Sequence, residues 1–234
     1  MNSAAASNIF GFNVTIPHKE AILPLLDKID PTAAAIGAVN TLKLVDGSWV
    51  GYNTDASGFL HTLNLKTWFE AKDKTITVVG AGGAARAVVY ALADAGARQI
   101  NIVNRSLDRA ESLATALKSI HSNVSFTAYR LREPINGAFL RTTDLLVNCT
   151  SRGLADSPPL DVEWPQLSDA SIVADIVYFK NGSGMFLDSA TRHGKQTFAG
   201  LWMLLGQAER AFTLWTGKGF DIDEAAAFLG SESI

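Results

Sequence analysis

Three small residues, Gly80, Gly82 and Ala85, follow a run of β-branched residues and match the spacing Gly-x-Gly-x-x-Gly/Ala. In this fingerprint the first glycine permits a tight turn, the second lets the backbone approach a pyrophosphate, and the small third residue lets a helix pack on a strand. Residues 75–79 suit a strand buried on both faces. Residues 84–95 have helical character, and the start of that helix would offer free N–H groups to phosphate. The stretch predicts a dinucleotide site; an ordinary tight turn is the alternative.

The end of the next predicted strand, residues 99–103, indicates which dinucleotide binds. NAD-binding proteins usually carry an Asp or Glu there, which accepts the ribose 2′-hydroxyl. Here Asn104 and Arg105 stand at that position. Ser106 follows, and Arg109 lies one helical turn later. Because two guanidinium groups can hold a 2′-phosphate by paired hydrogen bonds, the sequence predicts NADP. The alternative is that both arginines are solvated residues at the start of a helix.

Three polar clusters interrupt apolar segments ahead of the fingerprint, within residues 13–19, 37–41 and 53–55. They supply a cation, Lys19, a carboxylate, Asp55, and several amides and hydroxyls. A small ligand with hydroxyl or carboxylate groups would need that mixture. Taken singly, Lys19 could be a solvated residue of a first helical turn, Asp55 an N-cap and Asn40 a turn residue.

Strand and helix signals alternate through residues 75–198, which predicts a doubly wound parallel sheet of the α/β class. A long apolar helix is expected over residues 201–215. This unit would position the glycine fingerprint at the carboxyl ends of its strands, where open α/β sheets bind ligands.

The amino-terminal residues show different signals. Residues 12–16 alternate in polarity and predict a short strand, and residues 19–28 predict a helix. Asp46 and Gly47 form a hairpin signal between two further strands. The polar clusters therefore lie on a second, smaller α/β unit.

Composition limits the classes of function. The chain has 234 residues, of which 47% are hydrophobic, and this suits one large or two small domains. A net charge of −3 without a basic block argues against nucleic-acid binding, and no apolar run is long enough to predict a membrane span. Cys149 is the only cysteine, which fits a reducing cytoplasm, and its apolar neighbours predict an inert core thiol. We expect a monomer or a homodimer.

From Gly11 to Gly217, the motifs resemble those of the shikimate dehydrogenase family in their amino acids and in their order along the chain. The motifs that carry the resemblance are Asn13-Val14-Thr15-Ile16-Pro17-His18-Lys19, Gly37-Ala38-Val39-Asn40-Thr41, Asn53-Thr54-Asp55, Gly80 to Ala87, Asn104-Arg105-Ser106, Asn148 to Gly153, Asp175-Ile176-Val177-Tyr178 and Gly200 to Ala208. The resemblance implies reversible NADP-dependent reduction of 3-dehydroshikimate to shikimate, on the chorismate route to aromatic amino acids.

The resemblance also implies the roles of individual residues. Lys19 and Asp55 look like the catalytic pair, in which a lysine near a carboxylate delivers a proton to the carbonyl oxygen. The residues similar to the family's substrate contacts are Thr15, Asn40, Tyr178 and Gln207. Those similar to its cofactor contacts are Gly80, Gly82, Gly83, Ala84, Asn104, Arg105, Ser106, Arg109 and Thr150, with Gly200 and Met203 beside the nicotinamide. No metal is expected.

The expected domains are a substrate domain of residues 1–56, completed by helices in residues 201–234, and an NADP domain of residues 57–200. The family begins with a strand–helix unit whose Ser-x-Ser pair binds the substrate carboxylate, and only ten residues precede Gly11 here. We therefore expect substrate capture, rather than chemistry, to limit turnover. The alternatives are a weakly active or inactive NADP-binding homologue, and a quinate or other polyol-acid dehydrogenase of the same family.

Overall fold

The computed structural model describes residues 9–154, 157–179 and 184–230, which form two sheets with flanking helices. The strands are β1 (Gly11–Asn13), β2 (Lys28–Ile29), β3 (Thr41–Val45), β4 (Ser48–Tyr52), β5 (Thr75–Val79), β6 (Gln99–Asn104), β7 (Ser125–Arg130), β8 (Leu145–Asn148), β9 (Ile172–Asp175) and β10 (Gln196–Phe198). The α-helices are α1 (His18–Ala21), α2 (Pro31–Ile36), α3 (Asp55–Thr67), α4 (Gly83–Asp94), α5 (Leu107–Lys118), α6 (Gly184–Arg192), α7 (Gly200–Thr216) and α8 (Ile222–Phe228). Short 3₁₀ helices cover Leu23–Leu25, Ala138–Thr142 and Trp164–Gln166.

The larger sheet is fully parallel, with strand order β10-β9-β8-β5-β6-β7. Every residue of β5 is buried, because helices cover both faces of the sheet. The order reverses at β5, since β6 lies on one side of it and β8 on the other. That reversal leaves a crevice at the carboxyl ends of β5 and β8. The predicted doubly wound α/β fold is confirmed.

The smaller sheet has strand order β1-β3-β4-β2 and mixes directions. β3 pairs antiparallel with β1 and β4, whereas β2 runs parallel to β4. Asp46 and Gly47 join β3 to β4 with φ angles of 49° and 78°. Positive φ at both central residues gives the turn that matches the twist of a hairpin, and the predicted hairpin is confirmed.

The predicted helix over residues 19–28 is wrong. Helix α1 ends at Ala21, a 3₁₀ turn containing Pro24 follows, and Lys28 already belongs to β2. Proline lacks an N–H group and collides with the preceding turn, so a longer helix cannot pass through this position. The predicted strand over residues 12–16 is also too long, because β1 ends at Asn13.

Helix α7 follows the larger sheet in sequence but also contacts the smaller one. The indole Nε1 of Trp215 donates a hydrogen bond to the carbonyl of Leu42 at 2.9 Å. The ammonium of Lys43 donates to the carbonyl of Leu214 at 2.6 Å. The last long helix therefore fastens the two sheets together.

Helices α3 and α7 cross at two glycines. A Cβ atom added to Gly58 would lie 2.4 Å from the backbone nitrogen of Gln207, and one added to Gly206 would lie 2.6 Å from the carbonyl oxygen of Gly58. The backbones can approach this closely only because both residues lack a side chain. This approach places Gln207 beside the amino-terminal end of α3. Within the described residues, no helix is both long and apolar enough to cross a membrane.

Candidate active site

Lys19 and Asp55 form an ion pair in the cleft between the sheets. The Lys19 Nζ atom lies 2.6 Å from the Asp55 Oδ2 atom. Only 14% of the lysine side chain and 4% of the aspartate side chain are exposed. Thr54 is the N-cap of α3, so the Asp55 carboxylate does not cap the helix. The structure thus excludes the solvated-lysine and N-cap alternatives.

The buried amide of Asn40 orients the Asp55 carboxylate. Asn40 Nδ2 lies 2.9 Å from Asp55 Oδ1 and 3.0 Å from the Thr54 hydroxyl oxygen. Asn40 Oδ1 accepts from the backbone N–H of Thr54 and from the Thr41 hydroxyl. Gln207 Oε1, 3.3 Å from Asn40 Nδ2, extends the network to α7. Asn40 therefore holds the Asp55 carboxylate in place, besides its predicted contact with substrate.

Two other predicted substrate residues lie outside this network. Thr15 is exposed in the turn ahead of α1, where its carbonyl accepts from the N–H of His18. Tyr178 is half-buried in the loop after β9. Within the described part of the chain, neither hydroxyl is hydrogen-bonded to the Asn40 network. The structure brings Lys19 and Asp55 together with Asn40, while the two hydroxyls stay available to a ligand.

The fingerprint glycines lie at the start of α4. Gly80 has a φ of 121°, and a Cβ there would lie 2.8 Å from the Cys149 carbonyl. Gly82 has an extended φ of −93°, and a Cβ there would meet nothing within 4 Å. Neither backbone strain nor internal packing therefore requires glycine at 82. A dinucleotide pyrophosphate that approached this helix N-terminus would use the space that glycine leaves open, as the fingerprint predicts.

The ion pair and the fingerprint helix are immediate neighbours. A Cβ atom added to Gly83, the first residue of α4, would lie 3.1 Å from the Cβ of Lys19. Ala84 is half-buried in the same turn, and Ala85 is fully buried against the sheet. The small residues of the fingerprint thus let Lys19 lie directly against the first turn of α4.

The predicted 2′-phosphate residues surround the end of β6. Arg105 and Ser106 are exposed, and the amide of Asn104 donates to the carbonyl of Ser106 at 2.8 Å, which shapes the turn. Arg109 reaches back to the fingerprint loop, where its Nη2 donates to the Ala81 carbonyl at 3.2 Å. Arg105 is therefore exposed to an incoming phosphate, whereas Arg109 already has the Ala81 carbonyl as a partner.

Glu20 joins the two sides of the cleft and was not predicted from the sequence. Its carboxylate lies 3.5 Å from both Arg109 Nη2 and Arg86 Nε. Arg86 Nε is buried and has no hydrogen-bond partner within the described residues. A single glutamate next to Lys19 belongs to no recognisable sequence motif. Its ion pairs with Arg86 and Arg109 are therefore seen only in the folded structure.

A buried polar network closes the cleft at the ends of β8 and β9, and only one of its members, Thr150, was predicted. The Thr150 hydroxyl donates to Asn148 Oδ1 at 2.7 Å, and Asn148 Nδ2 donates to Asp175 Oδ1 at 3.0 Å. Burial raises the pKa of Asp175 to about 7, against the lowering effect of its two hydrogen bonds. Burial, with the nearby Asp175 and Asp55 carboxylates, raises the pKa of the Cys149 thiol well above its usual value. A raised pKa disfavours the reactive thiolate form, which agrees with the expectation of an inert thiol, but Cys149 is half-buried and not in the core.

The start of α7 packs against the loop after β9. A Cβ added to Gly200 would lie 2.3 Å from the carbonyl oxygen of Val177, and Met203 is buried one turn later. The described residues hold no group of three or more His, Cys, Asp or Glu side chains suited to a metal ion.

Three family models match the chain. The shikimate dehydrogenase substrate binding domain matches residues 1–42, shikimate / quinate 5-dehydrogenase matches residues 63–153, and the shikimate 5'-dehydrogenase C-terminal domain matches residues 200–225. A curated relative from Geobacter metallireducens, named shikimate dehydrogenase (NADP(+)), is 42% identical over 209 residues, which is 89% of this chain and 73% of the relative. The chain belongs to the shikimate dehydrogenase family.

Solved structures related to this family share the fold. Shikimate dehydrogenase from Thermus thermophilus, solved with NADP(H) and shikimate, matches with a TM-score of 0.76 at 35% identity, over 95% of this chain and 80% of that one. Quinate dehydrogenase from Corynebacterium glutamicum, solved with NAD, matches with a TM-score of 0.87 at 31% identity, over 98% and 80%. The two-sheet arrangement is therefore that of shikimate dehydrogenases and their relatives.

Proposed function

We propose that this chain is an NADP-dependent shikimate dehydrogenase, which interconverts 3-dehydroshikimate and shikimate in aromatic amino acid biosynthesis. The Lys19–Asp55 pair carries the proposal, because it sets a proton donor against Gly83, in the first turn of the helix suited to a dinucleotide. The relative from Geobacter metallireducens bears this activity in its name, and the Thermus thermophilus structure contains both ligands.

The chemistry divides between the cofactor and the chain. When bound, NADPH supplies a hydride to the carbonyl carbon. Lys19 donates a proton from Nζ to the carbonyl oxygen, so the ketone becomes an alcohol. In the reverse direction the amine of Lys19 accepts that proton from the hydroxyl. Asp55 holds the lysine at 2.6 Å, and Asn40 holds Asp55, so the donor stays aligned through both directions.

Substrate recognition falls to polar groups around this pair. We assign contacts with the substrate hydroxyls to Thr15, Asn40, Tyr178 and Gln207. Gln207 and Asn40 support the assignment because they already meet across the cleft at 3.3 Å. The corresponding division into a substrate domain of residues 1–56 with 201–234 and an NADP domain of residues 57–200 is supported by the contacts of α7 with the smaller sheet.

The NADP preference rests on charge. Arg105 is exposed at the end of β6, Arg109 lies within reach of the fingerprint loop, and Asn104 replaces the acidic residue that would repel a 2′-phosphate. Gly200, Met203 and Thr150 would surround the nicotinamide end. A single cysteine and a biosynthetic role support a cytoplasmic location.

A rate measurement tests the proposal. Purified chain is mixed with shikimate and either NADP or NAD, and formation of reduced nicotinamide is followed by absorbance. We expect turnover with NADP and a much higher KM with NAD. Saturable NADP binding without any turnover would favour the inactive homologue instead.

A second candidate is a quinate dehydrogenase. The quinate dehydrogenase of Corynebacterium glutamicum matches this chain at 31% identity, and one family model covers both activities. Shikimate and quinate, tested side by side at equal concentration, separate the two candidates: the larger kcat/KM identifies the substrate.

A further inference from the structure

Asp175 ends β9 as a buried carboxylate, with only 1% of its surface exposed. Its strand neighbour in the sheet, Asn148, is fully buried. Burial of an ionisable group is costly unless its environment compensates. Among the described residues no cation lies within salt-bridge distance of this carboxylate. The Lys19–Asp55 chemistry makes no use of it.

One oxygen of Asp175 holds two strand-end loops. Its Oδ1 accepts from the side-chain amide of Asn148 at 3.0 Å and from the backbone N–H of Val177, also at 3.0 Å. Because the Asn148 NH₂ is taken by the carboxylate, its carbonyl oxygen must face the other way. That oxygen accepts from Thr150 twice, from the N–H at 3.0 Å and from the hydroxyl at 2.7 Å. The orientation of Thr150 is thus fixed by Asp175 through Asn148.

Both loops contact the proposed cofactor cleft. The carbonyl of Cys149 packs against Gly80 of the fingerprint, and the carbonyl of Val177 packs against Gly200 at the start of α7. Tyr178 follows Val177 directly. A single carboxylate therefore anchors the backbone on two sides of the space assigned to the nicotinamide.

We propose that Asp175 is a positioning residue for hydride transfer, which acts by locking the Thr150 loop and the Val177–Tyr178 loop to each other. The proposal rests on the dehydrogenase function above. Misplacement of reacting groups by about 1 Å can cost roughly 100-fold in rate, so a lock of this kind affects kcat without touching the substrate.

The charge of Asp175 determines how tight the lock is. Hydrogen bonds to an ionised carboxylate are stronger than those to the protonated group. Since burial raises the pKa of Asp175 to about 7, the lock tightens as pH rises through neutrality. The titratable group that faces it from the loop after β8 is Cys149, which also experiences the Asp55 carboxylate from α3. Within the described residues of its own loop, 176–179, the titratable side chain is Tyr178.

The test compares Asp175→Asn with Asn101→Ala. Asn101 is equally buried, hydrogen-bonds to Thr77 in the same sheet, and is remote from both loops. We expect Asp175→Asn to lower kcat by about 10- to 100-fold at pH 8 and to abolish the inflection of kcat near pH 7. Asn101→Ala should lose stability but keep the kcat and the pH profile of the parent. Parental kcat with the inflection intact in Asp175→Asn would overturn the proposal.

A second variant, Asn148→Ala, tests the proposal if Asp175→Asn does not fold. The Asn148 hydrogen bond lowers the pKa of Asp175, so its removal should move the inflection to higher pH while also lowering kcat. An inflection that stays where it is in Asn148→Ala would contradict the relay from Asp175 to Thr150.

Hydrogen exchange separates this proposal from the proposed function, because it needs no turnover. Peptides that cover residues 149–154 and 176–179 should exchange faster in Asp175→Asn, and not in Asn101→Ala. Unchanged exchange in these loops refutes the lock even if the chain is an active dehydrogenase. Faster exchange in a chain that turns over no substrate retains the lock and refutes only the enzymatic assignment.

Discussion

The two sheets build their halves of the cleft by different means. Every residue of β5 in the larger sheet is buried, whereas the residues of β4 in the smaller sheet alternate between buried and half-buried. The larger sheet presents backbone to the proposed dinucleotide, through Gly80, Gly82 and the start of α4. The side of the smaller sheet presents side chains, chiefly Lys19 from α1 and Asn40 directly before β3.

This difference determines which changes each half tolerates. On the side of the larger sheet, substitutions that add a side chain are disruptive, since a Cβ at Gly80 would lie 2.8 Å from the Cys149 carbonyl. On the side of the smaller sheet, substitutions that remove a polar side chain are disruptive. Each polar group in the Asn40 network has a hydrogen-bond partner that would be left unsatisfied. The following variants test that contrast in order of expected effect.

Lys19→Ala should have the largest effect. It removes the proposed proton donor, so kcat for shikimate oxidation should fall by about 10²- to 10⁴-fold. The Kd for NADP, measured by tryptophan quenching, should change little. Asp55→Asn should produce a similar loss. Lys28→Ala, at an exposed site in β2, is the control and should behave as the parent. Near-parental kcat in Lys19→Ala would remove this residue from the chemistry.

Arg105→Ala should affect the other half alone. Loss of a charged hydrogen-bonding partner for the 2′-phosphate should raise the Kd for NADP by roughly 10- to 150-fold, which corresponds to about 1.5–3 kcal/mol. The Kd for NAD should not change, because NAD lacks that phosphate. Arg141→Ala, at another exposed arginine, serves as the control. Equal weakening of NADP and NAD would mean that Arg105 does not read the 2′-phosphate.

Gly206→Ala tests the crossing of α3 and α7. The new methyl would lie 2.6 Å from the Gly58 carbonyl, so the helices must separate, at a cost of about 1–3 kcal/mol in unfolding free energy. Gln207 would move away from Asn40, and the KM for shikimate should rise more than the Kd for NADP. Ser57→Ala, exposed on α3, is the control for thermal and denaturant unfolding. A KM unaffected by the loss of stability would show that Gln207 does not contact substrate.

Glu20→Gln should have the smallest effect, and in the opposite direction. Removal of a carboxylate 3.5 Å from Arg109 should free that guanidinium for phosphate and tighten NADP binding by about two- to fivefold at low salt. High ionic strength should erase the difference. Glu70→Gln, at an exposed position, gives the baseline. Weaker NADP binding would instead indicate that Glu20 holds the arginines in their binding orientation.

Local patterns predicted much of this molecule from the sequence. The fingerprint turn and the Asp46-Gly47 hairpin depend on residues that are close together in the chain. The spacing of those residues is therefore enough to predict both structures. The helix predicted over residues 19–28 does not form, because Pro24 lies within it and interrupts a helix whatever the hydrophobic pattern around it.

The parts that sequence reasoning missed depend on distant partners. Asp175 lies in one of the motifs that carry the resemblance, but no role was predicted for it, because its partner Asn148 stands 27 positions earlier in the chain. A role for Glu20 is apparent only from its ion pairs with Arg86 and Arg109. Gly206 looked like an ordinary helix residue until α3 crossed it. None of these pairings leaves a local signal, because they arise only when the sheets and helices assemble.

The contact between Asn40 and Gln207 has a consequence for the order in which the protein matures. The two residues are 167 positions apart, so a ribosome must translate all of the larger sheet between making one and making the other. Chains fold from the amino terminus as they emerge, and contacts at such separation form late. The smaller sheet is synthesised first but acquires its last partner, α7, after the larger sheet has left the ribosome. The contact between Asn40 and Gln207 should therefore form only after the larger sheet has been synthesised.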